Sequence, residues 1–199
     1  MHIAHQIAML NGVGRLQRIA RIGRTGAGVL MLLTLAAQAA AQADRPQQPH
    51  VRSGDDEMRR LIDDAASRSS AIREWIDRLQ ELDVTVYVRT KTFAQRDLQG
   101  RVALLSKAGS HRYLVIELAC GRTAVEQMAT LGHELFHAIE IAEEPSVVNA
   151  DTLAAFYTRI GIKTGDSGGL RTFETGAAAA AGLRARRQLL TTTRNSHGT

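Results

Sequence analysis

Apolar positions recur every three or four residues from Met58 to Leu82: Met58, Leu61, Ile62, Ala65, Ile72, Trp75, Ile76, Leu79 and Leu82. That is the period of an amphipathic helix laying one face on a core. The Ser67-Arg68-Ser69-Ser70 stretch predicts a bend or a split in it. The period then changes to two. Val84 to Val88 alternates and is rich in β-branched residues, and Arg101–Leu105 and Arg112–Leu118 read as two further strands. The short Lys107-Ala108-Gly109-Ser110 connection predicts an antiparallel hairpin between the last two. Thr123-Ala124-Val125-Glu126 has the form of a capping box, so a helix opens there and runs to Glu143 or Glu144, where Pro145 stops it. A shorter helix over Ala150–Ile160 follows, with Asp151 expected as its cap. Gly161–Gly169 reads as loop, and an alanine-rich helix over Thr172–Leu190 ends the pattern. The order predicts an α+β fold with an N-terminal helix, a small antiparallel β-sheet and then a run of helices.

Composition changes this picture at the N-terminus. Residues 1–43 carry Arg15, Arg18, Arg21 and Arg24 and no acid, then the apolar run Ala27–Ala37, then Ala41-Gln42-Ala43. This is the layout of a signal peptide with cleavage before Asp44, and the apolar run is too short for a comfortable membrane span. The expected organisation is signal peptide 1–43, flexible linker 44–54, one domain over 55–190 and a polar tail over 191–199. The chain is expected to be secreted or periplasmic, with no membrane span after signal removal. The formal charge of +5 falls to about +1 once the leader's four arginines are set aside. A near-neutral domain has no electrostatic reason to seek a phosphate backbone, so no nucleic-acid partner is expected. Cys120 is the sole cysteine. It excludes an intramolecular disulfide and a Cys-based zinc site, and it reads as a small buried residue at a strand end.

The candidate chemistry lies in His133-Glu134-Leu135-Phe136-His137. Two histidines four residues apart on a helix project from one face about a turn apart, which suits two ligands of one tetrahedral zinc ion. Glu134, beside them on the helix, is placed to act as the general base toward a zinc-activated water. Zinc in a catalytic site takes a third protein ligand. No third histidine follows until His197 in the polar tail, so Glu174 is the expected third ligand. Glu140 points back toward His137 and is expected to support that ring rather than bind the ion.

With Gly132 to His137 followed downstream by Phe173-Glu174-Thr175-Gly176-Ala177-Ala178, the chain resembles the gluzincin class of zincin-fold metallopeptidases over about Arg101–Leu190. The resemblance implies a zincin-like arrangement in which a connecting helix leads to a C-terminal helix bearing the glutamate. It implies a peptidase whose peptide or protein substrate lies along an edge strand, here Arg112–Leu118. It also implies an oxyanion-stabilising group, a role that falls to Tyr157 or an arginine. Larger gluzincins have a sizeable C-terminal domain as the other wall of the cleft, which this chain is expected to lack. The alternative from a different class is a non-catalytic, zinc-stabilised binding or regulatory module of the cell envelope. The intact Glu134 favours the enzyme.

Overall fold

The computed structural model describes residues 4–9, 48–167 and 170–196. Of these, all but Gln48 and Pro49 belong to one compact unit. The elements are β1 (Ala4–Met9), β2 (Val51–Arg52), α1 (Asp56–Arg68), α2 (Ser70–Gln80), β3 (Val84–Lys91), β4 (Leu98–Ala108), β5 (His111–Ala119), α3 (Ala124–Glu143), α4 (Ala150–Ile160), β6 (Ile162–Ser167), β7 (Leu170–Glu174) and α5 (Gly176–Ser196). Five strands form one sheet in the order β1-β4-β5-β3-β2, and β6 and β7 form a separate antiparallel pair. The fold is α+β, as the patterning predicts.

The long N-terminal helix is split at Ser69. Its backbone N–H closes α1 on Ala65, and its hydroxyl accepts from Ile72 N at 3.2 Å to cap α2. One residue thus ends one helix and begins the next, because a serine oxygen competes with the backbone ladder. The buried stripes of α1, α2 and α3 cover one face of the sheet, where Val84, Val86 and Val88 of β3 meet Val102, Leu104, Leu114, Ile116 and Leu118 in a single core. A small second cluster of Ala103, Val115 and Tyr87 lies apart from it.

The sheet is mixed rather than antiparallel. Only β4 and β5 pair antiparallel, through the predicted hairpin, whose turn holds Gly109 at φ 62°. β5 then pairs parallel with β3, so it is the middle strand and not an edge. Its sequence explains this: Leu114, Val115, Ile116, Glu117 and Leu118 are all buried, which only a strand covered on both faces and both sides tolerates. Arg112, expected on a substrate-binding edge, instead donates to the Ile141 and Ala142 carbonyls at 3.1 and 2.7 Å and so serves the C-terminal end of α3. The strand that carries the site-facing border is β4. β1 pairs parallel along it from Ala4↔Leu98 to Met9↔Leu104 and also packs against β7.

Other expectations are corrected in detail. Val51 and Arg52, assigned to a flexible linker, pair with Val86 and Tyr87, and Val51 is buried. Gly161–Gly169 is mostly strand β6, not loop. Asn149, not Asp151, caps α4, accepting from Thr152 N at 2.9 Å. Cys120 is exposed. Helix α5 begins after Glu174 and continues to Ser196, into the expected tail. Of the expected leader, only Ala4–Met9 lies within the described residues, and His197 lies outside them. No helix among the described residues is long and apolar enough to cross a membrane.

Candidate metal centre

The site is built on α3. Thr123 and Glu126 close the capping box, with Thr123 N donating to the Glu126 carboxylate at 2.9 Å and Glu126 N to the Thr123 hydroxyl at 3.3 Å. This fixes the helix start. The sides of α3 away from the site are then seated on the core through Met128, Leu131, Leu135, Ala138 and Ile141. Gly132 lets neighbours close in: a Cβ there would stand 2.8 Å from Ala185 Cβ and 3.2 Å from Ile72 and Trp75. Gly182 of α5 does the same over His133, since a Cβ on it would come within 3.1 Å of that ring's Nδ1. The two histidines are consequently buried and held as a pair, ring centres 4.8 Å apart.

Glu174 arrives from another element. It is the last residue of β7 rather than a helix residue, and its carboxylate reaches both rings at once. Oε2 lies 3.3 Å from His133 Nε2, and Oε1 lies 3.4 Å from His137 Nε2. Ligands at about 2.0–2.1 Å from a tetrahedral ion sit about 3.3–3.4 Å from one another, so each ring lies at ligand-sharing distance from one of the two carboxylate oxygens. His133, His137 and Glu174 form a group able to hold a metal ion, with one donor atom from each lying within 4.8 Å of the others. His137 Nε2 is buried with no hydrogen bond of good geometry. That state is costly for an imidazole nitrogen unless a proton or a metal ion takes its lone pair.

Behind the ligands is a second layer of polar contacts. Glu140 meets His137 Nδ1 at 2.7 Å, which leaves Nε2 to face Glu174. Tyr157, fully buried, points its hydroxyl at the same place: it donates to Glu140 at 3.2 Å and lies 3.4 Å from His137 Nδ1. Its hydroxyl therefore stands on the Nδ1 side of the ring, away from the Nε2 where an ion would sit, and the structure does not bring it to an oxyanion position. Burial first, and then the Glu140 charge, push its pKa well above 10, so it remains a neutral phenol. Thr175 joins the two carboxylates. Its hydroxyl donates to Glu140 Oε1 at 2.7 Å, its N–H donates to Glu174 Oε1 at 2.8 Å, and the same hydroxyl caps α5 by accepting from Ala178 N. Sequence reasoning passed over Thr175, although a threonine immediately before an alanine-rich run is a cap signal.

Glu134 is buried against β4. Gly100 makes room for it: a Cβ there would lie 3.1 Å from Glu134 Oε1 and 2.5 Å from a Thr130 methyl. Three carboxylates, Glu134, Glu140 and Glu174, thus surround two imidazoles. Burial opposes protonation of His137, but the carboxylates of Glu140 and Glu174 facing its two ring nitrogens, with the charges of Glu134 and Glu140, outweigh it and raise the group to about 9. The site is short of positive charge and takes it from a proton when no ion supplies it.

β1 pairs with β4, the strand of Gly100, and packs against β7, the strand of Glu174. No family model matches this chain, and comparisons with curated proteins and with solved structures return no match.

Proposed function

We propose that this chain is a zinc-dependent metallohydrolase, a peptidase of the gluzincin type with a zincin-like arrangement, acting outside the cytoplasm after removal of its leader. The observation that carries the reading is the convergence of one carboxylate, Glu174, on the Nε2 atoms of two buried histidines one helical turn apart. The donor set of two imidazoles and a carboxylate suits zinc, and its spacing suits a tetrahedral ion. When bound there, zinc supplies Lewis acidity toward a carbonyl and lowers the pKa of water.

The chain's own residues do the rest. Glu140 and Tyr157 hold His137 in one orientation from behind. Thr175 ties Glu140 to the β7–α5 junction, so Glu174 cannot drift relative to α3. Glu134, buried beside the ligands, takes a proton from the attacking water on its carboxylate and passes it to the leaving amine. Gly100 permits the close approach that puts this carboxylate at the border of β4. Removal of the leader would free the side of β4 that Ala4–Met9 pairs with, and an extended peptide could add there as a strand. The burial of Glu134 favours a second reading, a zinc-stabilised binding module without turnover.

Digestion of a peptide library by the zinc-loaded protein, with and without chelator, separates the two. Chelator-sensitive cleavage is expected. Zinc binding without any cleavage supports the module, and absence of zinc binding removes both.

A further inference from the structure

Helix α5 carries no acid. From Gly176 to Ser196 the chain has Arg184, Arg186, Arg187 and Arg194 but neither Asp nor Glu. The inner face of the helix is seated on the core through Ala178, Ala181, Ala185 and Leu189, all buried. Its outer face is apolar in part: Leu183 is 62% exposed and Leu190 is 51% exposed. Seven residues make close to two turns, so these leucines lie about 20° apart around the axis. Exposed Arg186 and Arg187 flank the pair at about 40–60° on either side. Exposed Gly176 and Ala180 prolong the face toward the helix start with nothing polar.

Folding accounts for the inner face but not for the outer one. Glutamate, glutamine or lysine serves an exposed helix position about as well as leucine, and a glutamate four residues before an arginine would add an ion pair. Arg184 finds such a partner in Glu74 at 2.9 Å, but Arg187 has no ion pair among the described residues. Beside Arg187 opens a cleft of about 450 Å³, where α1 ends and α2 begins. Arg68 and Arg73 line it together with Arg187, and no described carboxylate does. Leucines set among arginines on one exposed face are the composition of a helix that lies in the interfacial plane of a bilayer. The guanidinium groups reach the phosphates while the apolar side chains enter the acyl boundary. The complement is a surface that is anionic outside and apolar just beneath, which a phospholipid leaflet is and a nucleic acid is not.

We propose that the outer face of α5 docks the protein on a membrane leaflet rich in anionic phospholipid. Leu183 and Leu190 enter the acyl boundary, and Arg186, Arg187 and the cleft at Arg68 and Arg73 meet the headgroup phosphates. The contact is peripheral, since the other face of α5 stays in the core. It is independent of the metal centre.

The test uses the full-length chain with a nitroxide on Leu183→Cys in a Cys120→Ser background, so that the readout is local to α5 and not to the leader. Vesicles of phosphatidylglycerol mixed with phosphatidylcholine should make the label more accessible to oxygen and less accessible to an aqueous paramagnetic complex. Titrated by that signal, vesicles of phosphatidylcholine alone should bind about tenfold more weakly or worse. Arg186→Gln combined with Arg187→Gln should weaken binding about twentyfold, since each arginine near an anionic surface contributes about fivefold. Leu190→Ser should weaken it about fivefold, with the urea midpoint unchanged because the residue is exposed. A label that stays in water on vesicles that capture the chain overturns the proposal, as does equal binding to the two vesicle types. Arginine variants that weaken binding beside a Leu190→Ser variant that does not would mark a general polyanion site instead, and overturn it too.

Discussion

Two carboxylate clusters in this molecule have opposite electrostatic designs. Glu117, near the end of β5, is buried and paired with Arg89, Lys91 and Arg101. It is a complete network: three cations serve one acid, so nothing further is required of the surroundings. Around His133 and His137 the balance is reversed, with Glu134, Glu140 and Glu174 facing two imidazoles that carry no fixed charge. A buried charge is tolerated only when paired. The first cluster is therefore satisfied by fixed cations of the fold, whereas the second takes up a proton or a bound cation. The difference separates a structural ion network from a candidate metal site without any reference to sequence motifs.

The ligands give the largest expected effect. His133→Ala or His137→Ala should lower zinc affinity by about a thousandfold or more, since removing one of three protein donors leaves an incomplete site. Next, Glu174→Ala should weaken zinc binding far more than Glu140→Ala. Loss of an outer-layer partner of a ligating histidine costs about 10–100-fold, and competition with a chromogenic chelator ranks the two. Glu117→Gln makes the opposite case. It strands Arg101 in a buried position and should destabilise the fold by about 3 kcal/mol, read from urea melts, with zinc affinity unchanged. An effect of Glu117→Gln on zinc binding would break the distinction between the clusters.

The smallest effects are in pH, and the two clusters should differ in sign. Burial alone would raise the Glu117 pKa, but hydrogen bonds from Arg89, Arg101 and Lys91 outweigh it and hold it below the ordinary carboxylate value. Its contribution is therefore present above the unfolded pKa of about 4.3 and lost as pH falls through the lowered folded value. His137, raised to about 9 without an ion, contributes to the metal-free fold below about 6.5, and that contribution is lost as pH rises through about 9. Since the ion must displace this proton, apparent zinc affinity should climb by up to about tenfold per pH unit below 9. Calorimetric titration between pH 6 and 8 checks the slope, and a flat profile would contradict the protonated state of the metal-free site.

What could be read from the sequence divides along physical lines. Helix α3, its cap and its two histidines were legible because each signal is local: a threonine and a glutamate three apart, an apolar stripe, and a spacing that matches one helical turn. The split at Ser69 was legible for the same reason. Glu174 was legible as a chemical type but not as a strand residue. Its β-pair with Ile162 comes from β6, a strand whose Gly161 and Gly165 read as loop. Strand neighbours were the least legible. A six-residue connection between β3 and β4 would serve a hairpin, yet β5 inserts between them, a choice made by its two-sided apolarity against the whole sheet. Tyr157 and Thr175 act through contacts 17 and 35 residues away in sequence, which no local pattern encodes.

The central claim is that His133, His137 and Glu174 hold the ion while Glu134 moves the proton. It is tested most directly by measuring zinc content and peptide turnover together in the native chain and in Glu134→Gln. About one zinc per chain in both is expected, with turnover in the native protein and a loss of about a hundredfold or more in the variant. Full turnover in Glu134→Gln, or loss of zinc along with it, would contradict the assignment.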